Sequence, residues 1–77
     1  MTIEQLRKMH QLRPFQPFDI HLADGRVFPI PHPEFLWLPP KRRTLVVATE
    51  GRGGVNILDV MLVTGLHVKS EGATDGG

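Results

Sequence analysis

The sequence predicts a mainly β fold: a small, strongly bent antiparallel barrel of five strands with one N-terminal helix. Residues 18–30 alternate apolar and polar positions around an Asp24-Gly25 pair, which is typical of a β-hairpin. Residues 44–49 are β-branched and almost wholly apolar, which indicates a central strand. No segment between the predicted strands reads as a crossover helix. This favours antiparallel pairing and closure into a barrel.

Length and composition predict one small domain. A chain of 77 residues gains only about 3–5 kcal/mol of net stability from its core, so association into an oligomer would stabilise it further. We expect the domain to span residues 1–69, followed by a disordered tail of small and polar residues, 70–77. The absence of cysteine excludes disulfides and thiolate metal sites. No leader or long apolar run is recognisable, so we expect a cytoplasmic protein without membrane contact.

The charge balance gives little guidance about partners. Glu71 and Asp75 lie in the predicted tail, so residues 1–69 carry nine Lys and Arg against six Asp and Glu, a net charge of +3. Dedicated binders of duplex nucleic acid are far more basic. The composition therefore permits nucleic-acid binding without arguing for it.

The first predicted element is a helix over residues 3–12. Thr2 followed by Gln5 forms a capping-box pattern, in which each side chain satisfies a backbone donor at the helix start. Pro14 disfavours helical backbone at the preceding residue, so the helix should end near Leu12. An apolar stripe should dock the helix on the sheet. Its members are Ile3, Leu6, Met9 and, less regularly, Leu12.

The register of the hairpin decides which side chains enter the core. A two-residue loop of Asp24 and Gly25 would mix apolar and polar side chains on each face. A three-residue loop, residues 23–25 with Gly25 in the left-handed conformation, gathers the large apolar side chains on one face. Each is worth roughly 1.5–3 kcal/mol when buried, so we predict the three-residue loop. The resulting inner face consists of Phe18, Ile20, Leu22, Phe28 and Ile30.

The rest of the chain predicts three more strands. Pro29 and Pro31 remove backbone donors, so the second strand should lie at an edge or leave its neighbour there. Residues 32–35 predict a turn, and residues 35–38 form an apolar run too short for a helix. The remaining strands are predicted at residues 44–49, 55–58 and 63–68, with a turn or short helical corner at residues 59–62. Three glycines within residues 50–54 favour a hairpin loop over a phosphate-binding loop, because no helix follows them.

Three motifs carry a resemblance to known proteins. Residues 13–18 read Arg-Pro-Phe-x-Pro-Phe, residues 20–26 read Ile-His-Leu-x-Asp-Gly-Arg, and residues 32–35 read His-Pro-Glu-Phe. In these motifs the chain resembles a group of short, uncharacterised bacterial proteins, over nearly all of residues 2–68. That resemblance implies no particular function.

A more distant resemblance is to the Sm/Hfq-like barrels, which are small SH3-like folds. Their first motif is matched by Ile20, Leu22, Asp24, Gly25 and Phe28. The resemblance implies a barrel and, as one alternative, binding of single-stranded RNA. The two loops with which such barrels typically hold RNA differ here, at residues 32–35 and 59–62.

Catalytic and metal-binding motifs are weak in this sequence. The only serine is Ser70, no cysteine is present, and the threonines of the predicted strands fit as β-branched strand residues, so we expect no enzyme and no cofactor. The four histidines lack the spacing of a metal motif on a helix. His21 and His67 could still meet across strands, but half-exposed strand histidines without metal are the favoured interpretation.

One group of residues has binding character: Trp37 followed by Lys41, Arg42 and Arg43. An aromatic ring near guanidinium groups can stack a base and hold phosphate. Trp and Arg are also enriched at the anchors of protein interfaces. The alternative is structural, with Trp37 sealing one end of the barrel and the three cations solvating a loop. The sequence thus leads to two functional hypotheses: a non-catalytic interaction module, self-associating through an open strand edge and residues 36–38, and an RNA-binding protein.

Overall fold

The computed structural model describes residues 2–49 and 53–69. It is mainly β, with one helix, α1 (Ile3–His10), and six strands in two three-stranded antiparallel sheets. The strands are β1 (Phe18–Leu22), β2 (Val27–Ile30), β3 (Leu36–Trp37), β4 (Thr44–Ala48), β5 (Val55–Asp59) and β6 (Val63–Val68). The first sheet has the order β2-β1-β6 and the second sheet the order β3-β4-β5. The predicted tail, residues 70–77, and part of the glycine-rich connection lie outside the described residues.

The predicted five-stranded barrel is wrong. Among the described strands, no ladder joins β2 to β3 or β5 to β6, so the two sheets do not close into one cylinder. A 3₁₀ turn interrupts the chain at each of these junctions, at Pro33–Phe35 and at Val60–Leu62. Prolines before and within the first turn also remove backbone donors that closure would need. The strand missing from the prediction is β3. It has only two residues, which is too short to show the alternation of apolar and polar side chains that indicates a strand.

The hairpin register is confirmed. Phe18 pairs with Ile30 and Ile20 with Phe28, as the three-residue loop requires. Phe18 and Ile20 are fully buried at the centre of one core that both sheets share. Because β1 also pairs with β6 on its other side, it is the central strand of the first sheet, and proline-containing β2 lies at the edge as predicted.

The capping box of α1 is confirmed, but the helix is shorter than predicted. The Gln5 N–H donates to Thr2 Oγ1 at 3.2 Å, and the Thr2 N–H donates to Gln5 Oε1 at 2.9 Å. The helix ends at His10, because the Gln11 N–H is shared between two carbonyls in a tightened last turn. Leu6 is fully buried, whereas Leu12 is 45% exposed and does not extend the apolar stripe.

Candidate functional site

The predicted surface at residues 36–38 is reduced to Trp37. Leu36 is 3% exposed and Leu38 is 8% exposed, because successive side chains of an extended chain point to opposite faces. Trp37 points away from the core and is 60% exposed. It does not seal the core, so the structural interpretation of this tryptophan is wrong.

The second sheet surrounds Trp37 with further apolar side chains on its outer side. Trp37 pairs with Val46, and Val46 pairs with Ile57, so these three form a row across all three strands. Ile57 is 71% exposed. Ala48 and Val55 form a second pair beside this row, with Val55 exposed. We call these five residues the apolar face.

The apolar face is unusual for a sheet with only one covered side. Strands that are apolar on both faces are typical of sheets covered on both faces. β4 matches that pattern, because Leu45 and Val47 enter the core while Val46 lies outside between Trp37 and Ile57. Within residues 2–49 and 53–69, Trp37, Val55 and Ile57 stay exposed on this outer side, while Ala48 lines a groove with Phe28 and Pro29 of β2. Sequence reasoning missed Val46 and Ile57, because only the cross-strand register shows that they join Trp37.

β5 adds an unpaired strand edge to the apolar face. Among the described strands it pairs with β4 alone, so its other side presents backbone donors and acceptors that no described strand satisfies. The sequence of β5 has no proline and no lysine, the residues that commonly block edges. β2, by contrast, carries Pro29. β5 is therefore one open edge of the predicted kind, next to Ile57, and β6, also without proline or lysine, is the corresponding edge of the first sheet.

The predicted cations lie beside this sheet but not on Trp37. Lys41, Arg42 and Arg43 are exposed in the connection between β3 and β4, and we call them the basic loop. The Arg43 carbonyl accepts the Val60 N–H at 2.8 Å, which fixes one end of the loop. Within the described chain, none of the three cations pairs with a carboxylate or lies over the Trp37 ring. The basic loop therefore flanks the apolar face without forming a base-stacking site with Trp37.

Asp24 and Gly25 have the structural role predicted for them. Gly25 has φ +94°, and its N–H donates to the Leu22 carbonyl at 3.0 Å. Asp24 accepts the Arg26 N–H at 3.0 Å and the Arg26 Nε–H at 2.8 Å. The backbone hydrogen bond from Arg26, more than its guanidinium, lowers the pKa of Asp24 below its usual 3.8. These contacts hold the turn.

The outer side of the first sheet carries a second cluster: Asp19, His21 and His67. His67 lies directly opposite Asp19 in the β1–β6 ladder, and the two imidazole rings stack with centroids 6.4 Å apart. One potential ligand atom from each residue lies within 4.8 Å of the other two. We call this cluster the histidine face. Sequence reasoning considered both histidines but missed Asp19, whose signal is its position two residues before His21.

A shallow groove of about 220 Å³ lies where β2 approaches the end of β4. Ligand pockets usually have volumes of about 300–1,000 Å³, so this groove is small for a substrate site. Thr49 supplies its only side-chain hydroxyl. None of the polar or charged side chains in the described residues is buried. The groove therefore lacks the converging polar groups of an active site.

Comparisons with known proteins were made at the levels of family, sequence and structure. No family model, no curated protein and no solved structure matches the chain. The resemblance of its motifs to short bacterial proteins therefore stays a prediction. Among the described residues, no helix has the length and apolar character needed to span a membrane.

Proposed function

We propose that this protein is a non-catalytic interaction module that binds a second copy of itself through the apolar face. The observation that carries the proposal is the row of Trp37, Val46 and Ile57 across the second sheet. Two of these side chains are more than half exposed. Contiguous exposed apolar patches commonly mark interaction sites.

The chemistry of the face favours a second copy as its occupant. In this dimer the second sheets of two copies pack face to face, related by a twofold axis that lies between them and runs parallel to β4. This axis sets Trp37 of one copy opposite Ile57 of the other. The same axis brings Asp59, which lies beyond Ile57 on β5, towards the basic loop of the other copy. This arrangement buries apolar groups at the centre and pairs opposite charges at the rim.

The expected gain is large for a chain of this size. The core of so small a domain supplies about 3–5 kcal/mol, so burial of the apolar face would add substantially to its stability. A standard interface buries about 800 Å² on each partner, more than the five side chains of the apolar face provide. The edge of β5 and the basic loop must therefore lie within the contact as well.

Cysteine cross-linking tests this geometry, because the chain contains no cysteine of its own. In two sheets packed face to face, opposite Cα atoms lie about 10 Å apart, which is too far for a disulfide, so a short bis-maleimide cross-linker is used instead. The single variants Trp37→Cys and Ile57→Cys should give a mixed cross-linked dimer when they are combined and treated with this reagent. Either variant treated alone should cross-link far less, because its two cysteines lie diagonally across the proposed interface.

The control is Val27→Cys, an exposed valine on edge strand β2 of the first sheet. Combined with Trp37→Cys, it should give no mixed dimer. Equal cross-linking with Val27→Cys would show random collisions and overturn the proposal. Light scattering of the wild type that shows a monomer up to 1 mM, or about that concentration, would also overturn self-association.

RNA binding is the second candidate, favoured by an exposed Trp37 in the same sheet as the basic loop, whose cations pair with no carboxylate among the described residues. It no longer has the support of a closed Sm-like barrel. Titration of a labelled single-stranded oligonucleotide at two salt concentrations tests it, because phosphate contacts weaken as salt rises. Binding that is absent at low salt, or indifferent to salt, would exclude this function.

A further inference from the structure

The histidine face has the composition of a site for a divalent transition metal. Two imidazoles and one carboxylate are ligands that Zn²⁺, Ni²⁺ and Co²⁺ accept together. Asp19 and His21 lie on the outer side of β1. The residues that alternate with them, Phe18, Ile20 and Leu22, are buried on the inner side. His67 reaches the same side from β6. Three protein ligands thus converge on one surface, far from Trp37 in the other sheet.

Gly65 leaves the space beside this cluster open. It lies directly opposite His21 in the β1–β6 ladder, and a Cβ built there would meet nothing within 4 Å. The ladder shifts register between His21 and Leu22, and a glycine within a strand commonly marks such a bulge. The glycine therefore has a structural explanation, and the space beside the His21 ring is open to an ion.

The present geometry needs only a modest contraction. Ligand atoms about 2.1 Å from a tetrahedral ion lie about 3.4 Å from one another, compared with up to 4.8 Å here. Rotation of the exposed His67 side chain towards the half-buried His21 can supply this movement without a change in the backbone.

Lys69 is the group that competes for the carboxylate. Its Nζ lies 3.2 Å from Asp19 Oδ1. The Lys69 side chain is 54% exposed, so it can leave for water, whereas the Asp19 side chain is only 19% exposed and stays at the sheet surface. A doubly charged ion placed between two imidazoles would replace the ammonium as the partner of Asp19.

We propose that Asp19, His21 and His67 bind one divalent transition-metal ion, with Zn²⁺ as the reference ion. The two imidazoles provide nitrogen ligands, Asp19 provides one carboxylate oxygen, and water fills the remaining position. This site is independent of the apolar face, because it lies on the other sheet.

Calorimetric titration of the whole chain with ZnCl₂ tests the site, together with thermal melts in EDTA and in Zn²⁺. We expect one ion per chain. At a free Zn²⁺ concentration of about 100 times the dissociation constant, the melting temperature should rise by roughly 10–20 °C. His67→Gln and Asp19→Asn should each weaken binding by about tenfold or more while keeping the melting temperature in EDTA within a few degrees of the wild type.

The matched control is His32→Gln, because His32 is exposed and its ring lies beside Phe35, outside the cluster. This variant should bind Zn²⁺ like the wild type. Lys69→Gln should strengthen binding severalfold, because it removes the competing cation. An unchanged or weaker affinity in that variant would remove Asp19 from the ligand set.

A spectroscopic measurement separates a built site from surface adsorption. Co²⁺ bound by two imidazoles and a carboxylate should give visible absorption that disappears in the double variant His21→Gln/His67→Gln. Zn²⁺ affinity that is undetectable at 1 mM or about that concentration in the wild type would overturn the proposal. Affinity that is equal in the double variant would overturn it as well.

Discussion

Replacing Ile57 by alanine should dissociate the proposed dimer while leaving the monomer folded. Ile57 is 71% exposed, so most of its apolar surface remains to be covered by a second copy. Full burial of such a side chain is worth about 1.5–3 kcal/mol, which leaves about 1–2 kcal/mol per copy here. A symmetric dimer contains the residue twice, so the loss is about 2–4 kcal/mol. That corresponds to a dissociation constant raised about 30- to 700-fold.

Sedimentation velocity over a concentration series measures this constant directly. Val27→Ala is the matched control, because Val27 is an exposed valine on an edge strand of the opposite sheet. It should leave the dissociation constant unchanged within about twofold. Urea melts at a concentration where the protein is monomeric should show less than about 1 kcal/mol of destabilisation for either variant. If both variants weaken association equally, or neither does, the apolar face is not the interface.

Three further predictions concern stability. Gly25→Ala should lower the melting temperature by roughly 4–8 °C, because a residue with a Cβ loses about 1 kcal/mol of folding free energy at a positive φ. Gly65→Ala is the control, because its φ is ordinary, and it should not lower the melting temperature. Leu36→Ala should lower the free energy of unfolding in urea by about 2–5 kcal/mol, because Leu36 is buried. Trp37→Ala should lower that of the monomer far less, because Trp37 is exposed. Equal losses would contradict the assignment of the two side chains to opposite faces of β3. The lowered pKa of Asp24 means that its carboxylate stabilises the fold above pH 3.8 and that this contribution is lost as the pH falls through the folded-state value. The stability difference between wild type and Asp24→Asn should therefore shrink in acid melts, and a difference that is constant from pH 6 to pH 2, or about that range, would contradict this role.

Local elements were largely predictable from the sequence, because each rests on residues close together in the chain. The capping box of Thr2 and Gln5 and the three-residue turn at Gly25 are decided by a few neighbouring side chains. Closure of the barrel was not predictable in the same way. It depends on which strands pair across long distances, and the 3₁₀ turn at Val60–Leu62 sends the chain to β1 instead.

The candidate sites show the same division. Trp37 was one candidate for a surface anchor, beside a structural alternative, because its residue type alone is informative. Its neighbours Val46 and Ile57 look like ordinary strand residues until the register brings them together. A meeting of His21 and His67 across strands was foreseeable, but only the pairing of β6 with β1 places Asp19 beside them. Surfaces assembled from several strands are therefore the features that a single sequence conceals best.

The position of β6 beside β1 also affects how the chain reaches its folded state. The hairpin of β1 and β2 can form early, because these strands are adjacent in sequence. The other side of β1 pairs with β6, whose residues lie more than forty positions later in the chain. Such long-range closure is entropically costly and slows folding. Until it happens, the open side of β1 is a template for a strand from another molecule. Freshly made or refolding chains should therefore be most prone to misassembly just before the last described strand docks, and dilution should improve their recovery.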